Sequence, residues 1–313
     1  MRIYRDYQFL APADRGASIA IGNFDGVHKG HQKVIDIARN AAPDCPLGIL
    51  TFEPHPRQYF APKAPAFRLM NAEAKAHRLE KLGVERLYEL SFNDTLSNLT
   101  AREFAEVILA ENLGVKHVTV GADFCFGKNR GGNVQDLIAF GSELGFDVTI
   151  AELIHDAGEE VSSSAIRQAL SEGRPRDAAR MLGHHHRIEG PVIRGDQRGR
   201  DLGYPTANMS ITGLHPPKFG VYVVLVEILT GPHKGQYRGA ASMGVRPMFG
   251  ENLPNLESYI FDFKGDIYGE NLSVALVEYL RPEVKFENVE ALITQMNKDC
   301  QEAQNILDAL ETP

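Results

Sequence analysis

The sequence predicts two domains of different class. Residues 1–183 read as an α/β domain on a doubly wound, mainly parallel sheet, and residues 184–313 as an antiparallel β-barrel closed by a terminal helix. Three observations predict this. A chain of 313 residues is longer than one hydrophobic core ordinarily fills. Up to Leu182-Gly183, short apolar runs alternate with helical periods, the pattern of a parallel sheet with helices on its faces. Beyond that point strand follows strand, with turns such as Lys264-Gly265-Asp266 between them, the pattern of an antiparallel barrel.

The first domain is organised around residues 18–31, Ser-Ile-Ala-Ile-Gly-Asn-Phe-Asp-Gly-Val-His-Lys-Gly-His. Residues 19–21 read as a buried strand, 22–26 as a tight turn and 30–40 as a helix. Glycine at 22, 26 and 30 lets backbone approach a ligand with no Cβ in the way, and a helix start offers free N–H groups to an anion. His28 and His31 can both donate to charge developing on a transferring phosphoryl group. Other readings compete. Asp25, His28 and His31 are zinc-type ligands, but no fourth ligand follows at a familiar spacing. Two helix-capping histidines among three glycines make a poor choice for stability alone. The Gly-x-Gly-x-x-Gly of a dinucleotide loop and the Gly-Lys-Ser/Thr of a P-loop are both absent.

Residues 47–52 form the next strand, running into Thr51-Phe-Glu-Pro-His-Pro56. The two prolines predict a rigid loop at a strand's carboxyl end, where open α/β sheets bind ligands. Asn71 caps a helix reaching 82, and a strand follows over 86–90. Thr100 and Glu103 form a capping box for a helix to about 111. A strand over 118–120, a helix over 133–144 closed by Gly145 and a strand over 148–150 complete the alternation. Two motifs decorate it. Gly121-Ala-Asp-Phe-Cys-Phe-Gly127, with Lys128, Arg130, Gly131 and Gly132, is either a ligand loop or a surface hairpin. In Val161-Ser-Ser-Ser-Ala-Ile-Arg167, serines at a helix start are ordinary caps, but an arginine one turn in suits a triphosphate.

In the second domain, strands are expected over 188–194, 221–229, 238–245, 256–263 and 272–280, and a helix over 289–310. The boundary falls near 183–187. His184-His185-His186 there invites a metal reading, but consecutive residues of an extended chain point to alternate sides, which favours a linker. Residues 190–208 are rich in glycine and arginine. Arg194, Arg198 and Arg200 can cradle phosphates and Thr206 with Asn208 can hold Mg²⁺ by oxygen, unless the stretch is a plain hairpin loop. Glu257 is read as opening a strand, on one face with Tyr259, Phe261 and Phe263, and as a candidate general base.

Composition bounds the partners. A net charge of −8 argues against nucleic-acid binding, leaving small anions held by local basic clusters. Cys45, Cys125 and Cys300 are far apart and odd in number, as expected in a reducing compartment. No signal-type apolar segment opens the chain, and no apolar run nears the ~20 residues of a membrane span. A cytoplasmic protein is expected.

The run Gly22-Asn-Phe-Asp-Gly-Val-His-Lys-Gly-His31 resembles the ATP-binding signature of the nucleotidylyltransferase superfamily, and its form is similar to that of the bacterial bifunctional riboflavin kinase/FAD synthetases. The other motifs follow in that family's order over nearly the whole chain. The resemblance implies a Rossmann-like nucleotidylyltransferase domain that adenylylates FMN to FAD, releasing pyrophosphate. It implies a Greek-key, flavokinase-like barrel that phosphorylates riboflavin to FMN. In the first domain, Gly22, Asn23, Phe24, Asp25, Gly30, Asp123, Ser162, Ser163, Ser164 and Arg167 would surround ATP, with His28 and His31 catalytic. Phe52, Pro54, His55, Phe124, Phe126 and Arg281 would face flavin. In the barrel, Arg194, Arg198 and Arg200 would bind phosphate, Thr206 and Asn208 Mg²⁺, and Glu257 would deprotonate the ribityl 5′-hydroxyl. ATP, riboflavin and FMN are the partners implied, with no nucleic acid or membrane, in a monomer or weak homo-oligomer. Ala165, Ser242, Met248 and Tyr259 depart from the family pattern, which has Arg, Asn, Thr and often His there. The rival readings are an adenylyltransferase whose barrel only binds flavin, and a sensor that turns nothing over.

Overall fold

The apolar runs of the first half line up in one six-stranded sheet: β1 (Arg2–Tyr4), β2 (Ser18–Ile21), β3 (Leu47–Glu53), β4 (Arg86–Ser91), β5 (His117–Gly121) and β6 (Asp147–Ala151). A computed structural model describes residues 1–152, 155–156, 159–195, 199, 202–248 and 251–311. The chain divides into two compact units, Met1–Ala64 with Lys75–Ser162, and Pro65–Ala74 with Ser163–Pro313.

In the first unit the strand order is β1-β4-β3-β2-β5-β6 and every pairing is parallel. All four residues of β2 are buried, as befits a central parallel strand. Chain order reverses at β2, which pairs with β3 on one side and β5 on the other. The loop leaving its carboxyl end therefore sits at the topological switch point, where such sheets bind ligands. Gly48 makes the tight β2–β3 contact possible, because a Cβ there would lie 2.8 Å from Ile19 Cγ2. Ile19, Ile21, Leu50, Leu90, Val118 and Val120 form the core with Phe104, Ile108 and Leu109.

The helices of the first half are α1 (Lys29–Ala41), α2 (Pro56–Phe60), α3 (Ala72–Lys81), α4 (Asp94–Ser97), α5 (Ala101–Glu103) and α6 (Val134–Leu144). The capping box of Thr100 and Glu103 is present, and α5 continues as a π-helical stretch, Phe104–Asn112. One expectation needs correcting and one element went unread. Pro56 starts α2 instead of prolonging a loop, because the first helical position needs no N–H donor. Three residues at the N-terminus add β1 as a parallel edge strand, too short for its periodicity to be read. A two-stranded ribbon, β7 (His155–Asp156) with β8 (Glu159–Glu160), follows β6.

The second unit carries α7 (Ser163–Ser171), α8 (Pro175–Leu182), β9 (His186–Pro191), β10 (Thr206–Ser210), β11 (Gly220–Ile228), β12 (Gly235–Met248), β13 (Glu251–Ile260), β14 (Asn271–Arg281) and a terminal α9 (Val289–Glu311). The antiparallel order is β10-β13-β12-β11-β14-β9. Strands β11, β12 and β13 are hairpin-connected and β14 returns beside β11, a Greek key. Ile193, two residues beyond β9, bridges to Asn208 of β10, which closes the barrel. Met209, Val224, Met243, Leu256, Val274 and Leu276 fill its interior. On the outer face Ala303 and Leu307 of α9 pack against Val223, Ala240 and Val277. Here too the sequence reading missed elements. α8 starts on Pro175 and ends at Gly183, left-handed at φ +73. β10 was hidden in the glycine- and arginine-rich run. β13 starts earlier than expected, so Glu257 is mid-strand, and it ends at Ile260. Asp262, at φ +55, breaks the alternation, so Phe263 joins the barrel-core side while Phe261 packs with Tyr259 toward α9.

Candidate functional site

The first candidate site is the loop from β2 to α1. Two of its non-glycine residues are in the left-handed region, Phe24 at φ +50 and Val27 at φ +44, and both are fully buried. Such strain persists only where surrounding packing enforces it, and it clusters at functional sites. Gly26, at φ +89, completes the turn. His28 is the N-cap of α1: its Nδ1 accepts from the His31 backbone N–H at 3.3 Å. In a neutral ring this leaves the proton on Nε2. The two imidazoles stack, centroids 3.7 Å apart and planes 19° apart, with the Phe24 ring 5.0 Å from His31. A Cβ on Gly30 would come within 3.0 Å of the His28 ring, so glycine there makes room for the stack, and Val161 O lies 3.6 Å away. Desolvation, then the neighbouring His28 and Lys75, hold the His31 pKa well below the usual imidazole range. His31 Nδ1 is buried with no hydrogen-bond partner among the described residues. Asp25 is buried and Asn23 exposed. Among the described residues no three His, Cys, Asp or Glu side chains converge to hold a metal ion.

The other first-unit residues singled out in the sequence take their places around this sheet. Asp123 follows β5, its Oδ1 3.1 Å from where a Gly121 Cβ would sit. Residues 121–132 close a small hairpin through the Phe126↔Gly132 bridge. Phe124 stacks on Phe126 at 5.4 Å, and Phe126 is buried against Phe104. Phe52 lies one residue before the end of β3, Pro54 is exposed, and His55 caps α2 by accepting from the Arg57 N–H at 3.0 Å. Sequence reasoning missed an aromatic cluster beside them. Tyr59, Phe60 and Phe92 meet edge-to-face at centroid distances of 5.1–5.7 Å, and Phe60 is 69% exposed. The rings come from α2 and the end of β4, so no spacing in the sequence links them.

Ser162 ends the first unit, while Ser163 and Ser164 open α7 in the second. Arg167 lies one turn into α7, where its Nε donates to Phe67 O at 2.5 Å and its guanidinium covers the Phe67 ring.

The second candidate site is on the barrel's outer face. Register sets Asn208 directly opposite Glu257, and Thr206 opposite Tyr259. Such partners have Cβ atoms ~4.5–5.5 Å apart, so Thr206, Asn208 and Glu257 share one face. Glu257 also faces Ser242 across β12–β13. Asn208 is buried and its Oδ1 accepts from Asn255 Nδ2 at 2.9 Å. A Cβ on Gly195 would meet the Asn208 amide at 2.9 Å, so glycine lets backbone close over it. Tyr259, the departure from histidine, packs edge-to-face on Tyr204, whose hydroxyl donates to Asn297 Oδ1 at 2.5 Å. Arg281 is engaged by α9: its Nε and Nη2 donate to the buried Asp299 at 2.6–3.1 Å. Arg194 is exposed over the Tyr268 ring, while Arg198 and Arg200 lie outside the described residues. Met248 ends β12.

A strained, histidine-lined loop at a parallel-sheet switch point, followed along the chain by a Greek-key barrel with a Thr, Asn and Glu face, defines the class: a two-part protein with a candidate phosphate-binding site in each part. The family described as FAD synthetase matches residues 10–165, and that described as riboflavin kinase matches residues 182–307. A bifunctional riboflavin kinase/FMN adenylyltransferase of Pseudomonas fluorescens is 40% identical over 303 residues, covering 96% of each chain. One from Escherichia coli (strain K12) is 35% identical over 303 residues, again covering 96% of each. A solved structure described as a macrolide-efflux protein from Streptococcus pneumoniae aligns with a TM-score of 0.81 and 32% identity, over 95% of this chain and 96% of that one. Among the described residues no helix is long and apolar enough to cross a membrane. The chain belongs to the bifunctional riboflavin kinase/FMN adenylyltransferase family.

Proposed function

We propose that the loop of His28 and His31 carries FMN adenylylation, that the Thr206, Asn208 and Glu257 face carries riboflavin phosphorylation, and that the corresponding domains are residues 1–183 and 184–313. The family performs both reactions with ATP, taking riboflavin to FMN and FMN to FAD. The observation that carries the assignment is that each unit holds its own, chemically distinct set: stacked imidazoles at a helix start in one, a carboxylate opposite an amide in the other.

In adenylylation the FMN phosphate attacks the α-phosphorus of ATP and pyrophosphate leaves. The nucleophile is already an anion, so positioning and charge stabilisation suffice. His28 Nε2–H and the N–H groups at the start of α1 are the donors for the phosphates, with Gly22, Asn23, Phe24, Asp25 and Gly30 shaping the loop and Asp123 and Ser162 completing the nucleotide site. Phe52, Pro54, His55 and Phe124 serve the flavin, and the exposed Phe60 ring supplies a further apolar face for it. Phe126 supports Phe124 from the core.

In phosphorylation the nucleophile is a neutral hydroxyl, so a base is needed, and Glu257 takes its proton as oxygen attacks the γ-phosphorus and ADP leaves. Thr206 and Asn208 offer hard oxygen donors on the face that Glu257 shares, and the Gly195 cradle leaves the Asn208 amide room, which fits Mg²⁺. Bound there with ATP, Mg²⁺ would supply neutralisation of phosphate charge. Arg194, Arg198 and Arg200 add phosphate contacts, and Arg281 fastens the flavin end of the barrel through Asp299. The free thiols of Cys45, Cys125 and Cys300 fit residence in the cytoplasm.

Chromatography of a reaction with riboflavin, ATP and Mg²⁺ tests the reading. FMN followed by FAD is expected. FAD formed only from supplied FMN would leave the barrel a mere flavin binder, and no product at all would make the chain a sensor.

A further inference from the structure

Lys75, in α3, is only 2% exposed, a rare location for an ammonium group and one that needs compensating partners. Its Nζ donates to Thr51 Oγ1 at 3.2 Å and lies 4.0 Å from Glu53 Oε2. Thr51 is fully buried and donates in turn to the backbone carbonyl of Asn23 at 3.3 Å. A continuous chain thus runs from the ammonium, through the end of β3, into the β2–α1 loop, arriving one residue before the strained Phe24. Packing alone does not call for a cation here, since a methionine would fill the same volume without the desolvation penalty. The charge also reaches His31, where it helps keep the ring neutral.

We propose that Lys75 is a positioning residue of the adenylyltransferase site, holding the Asn23 carbonyl through Thr51 and so fixing the loop that presents His28 and His31 to the phosphates of ATP. The inference rests on the reading of that loop as the FMN-adenylylating site. Lys75 fixes the loop from behind, and its positive charge adds to the attraction of an anionic ligand toward the helix start.

The test measures FAD formation from FMN and ATP in the full chain, with riboflavin phosphorylation by the same preparation as the folding control. Lys75→Met is expected to lower kcat for FAD formation about 10-fold to 100-fold, the penalty of a slightly misplaced reacting group, with a smaller change in the KM for ATP. Lys75→Arg should recover part of the loss, and Thr51→Val should reproduce it in weaker form. Adding Thr51→Val to Lys75→Met should cost little more, because both cut the same chain. Wild-type kcat in Lys75→Met, or a loss that Lys75→Arg does not relieve, would overturn the proposal. Should Lys75→Met fail to fold, wild-type FAD formation by Thr51→Val overturns it instead. Failure of the parent chain itself to convert FMN to FAD would overturn the site reading, a separate outcome.

Discussion

Gly30 shows how one missing methyl group sets the geometry of a site. Its Cβ would press on the His28 ring at 3.0 Å, so Gly30→Ala must displace the imidazole that caps α1 and stacks on His31. We expect this variant to lose FAD formation while its unfolding midpoint changes little, since the affected ring is at the site and not in the core. Activity and denaturation measured on one sample check it, and full activity would show that the stack is dispensable. Buried imidazoles also bear on acid stability, His31 and His186 most of all. His31 is held neutral well below the usual range, and burial pushes His186 down to about 3. Unfolding lets both take up protons near pH 6.5, so the unfolded state binds more protons below that pH. Stability should therefore be full above about pH 6.5 and fall as pH drops toward 3, by up to about 1.4 kcal/mol per pH unit for each fully shifted group. Urea unfolding at pH 7, 6 and 5 reads this slope, and His186→Gln should flatten it; an unchanged slope would assign the acid sensitivity elsewhere.

At the scale of elements, the fastening of α9 to β14 is the most exposed to test. Arg281 donates three hydrogen bonds to Asp299, and Gln295 Nε2 adds a fourth at 2.8 Å. Asp299→Ala leaves a half-buried guanidinium without its carboxylate and should destabilise the barrel by about 3–5 kcal/mol, seen as a lower denaturation midpoint; a midpoint at the wild-type value would show the pair to be mere surface decoration. Neither partner stood out as a pair in the sequence, because 18 residues and a loop separate them. The same cause hid the Tyr59, Phe60 and Phe92 cluster and the Asn255–Asn208 bond: side chains from different elements meet only once the sheet registers are set. Proline misled in the opposite direction. Pro56, read as part of a rigid loop, starts a helix, as does Pro175. What the chain did disclose is local: the Gly22 to His31 spacing, the Thr100 and Glu103 box and the Gly145 stop all lie within one turn or loop, where propensity and capping act without tertiary help. Strand ends were less legible, since the turn at Asp262 depends on a left-handed residue that no alternation announces.

For the whole molecule, the fold class followed from the change of repertoire near Gly183, from alternating strands and helices to consecutive strands. The Greek key came from the family resemblance and not from the strand pattern, which announces neither the strand order nor the bridge at Ile193 and Asn208. In the proposed assignment the two folds carry two unlike chemistries, imidazole donors for an anionic nucleophile and a carboxylate base for a hydroxyl. The most direct test follows riboflavin, FMN and FAD over time in His31→Ala and Glu257→Gln, each supplied in turn with riboflavin and with FMN. The account predicts that His31→Ala accumulates FMN and stops, while Glu257→Gln leaves riboflavin untouched and still turns supplied FMN into FAD. Equal loss of both steps in either variant would contradict it.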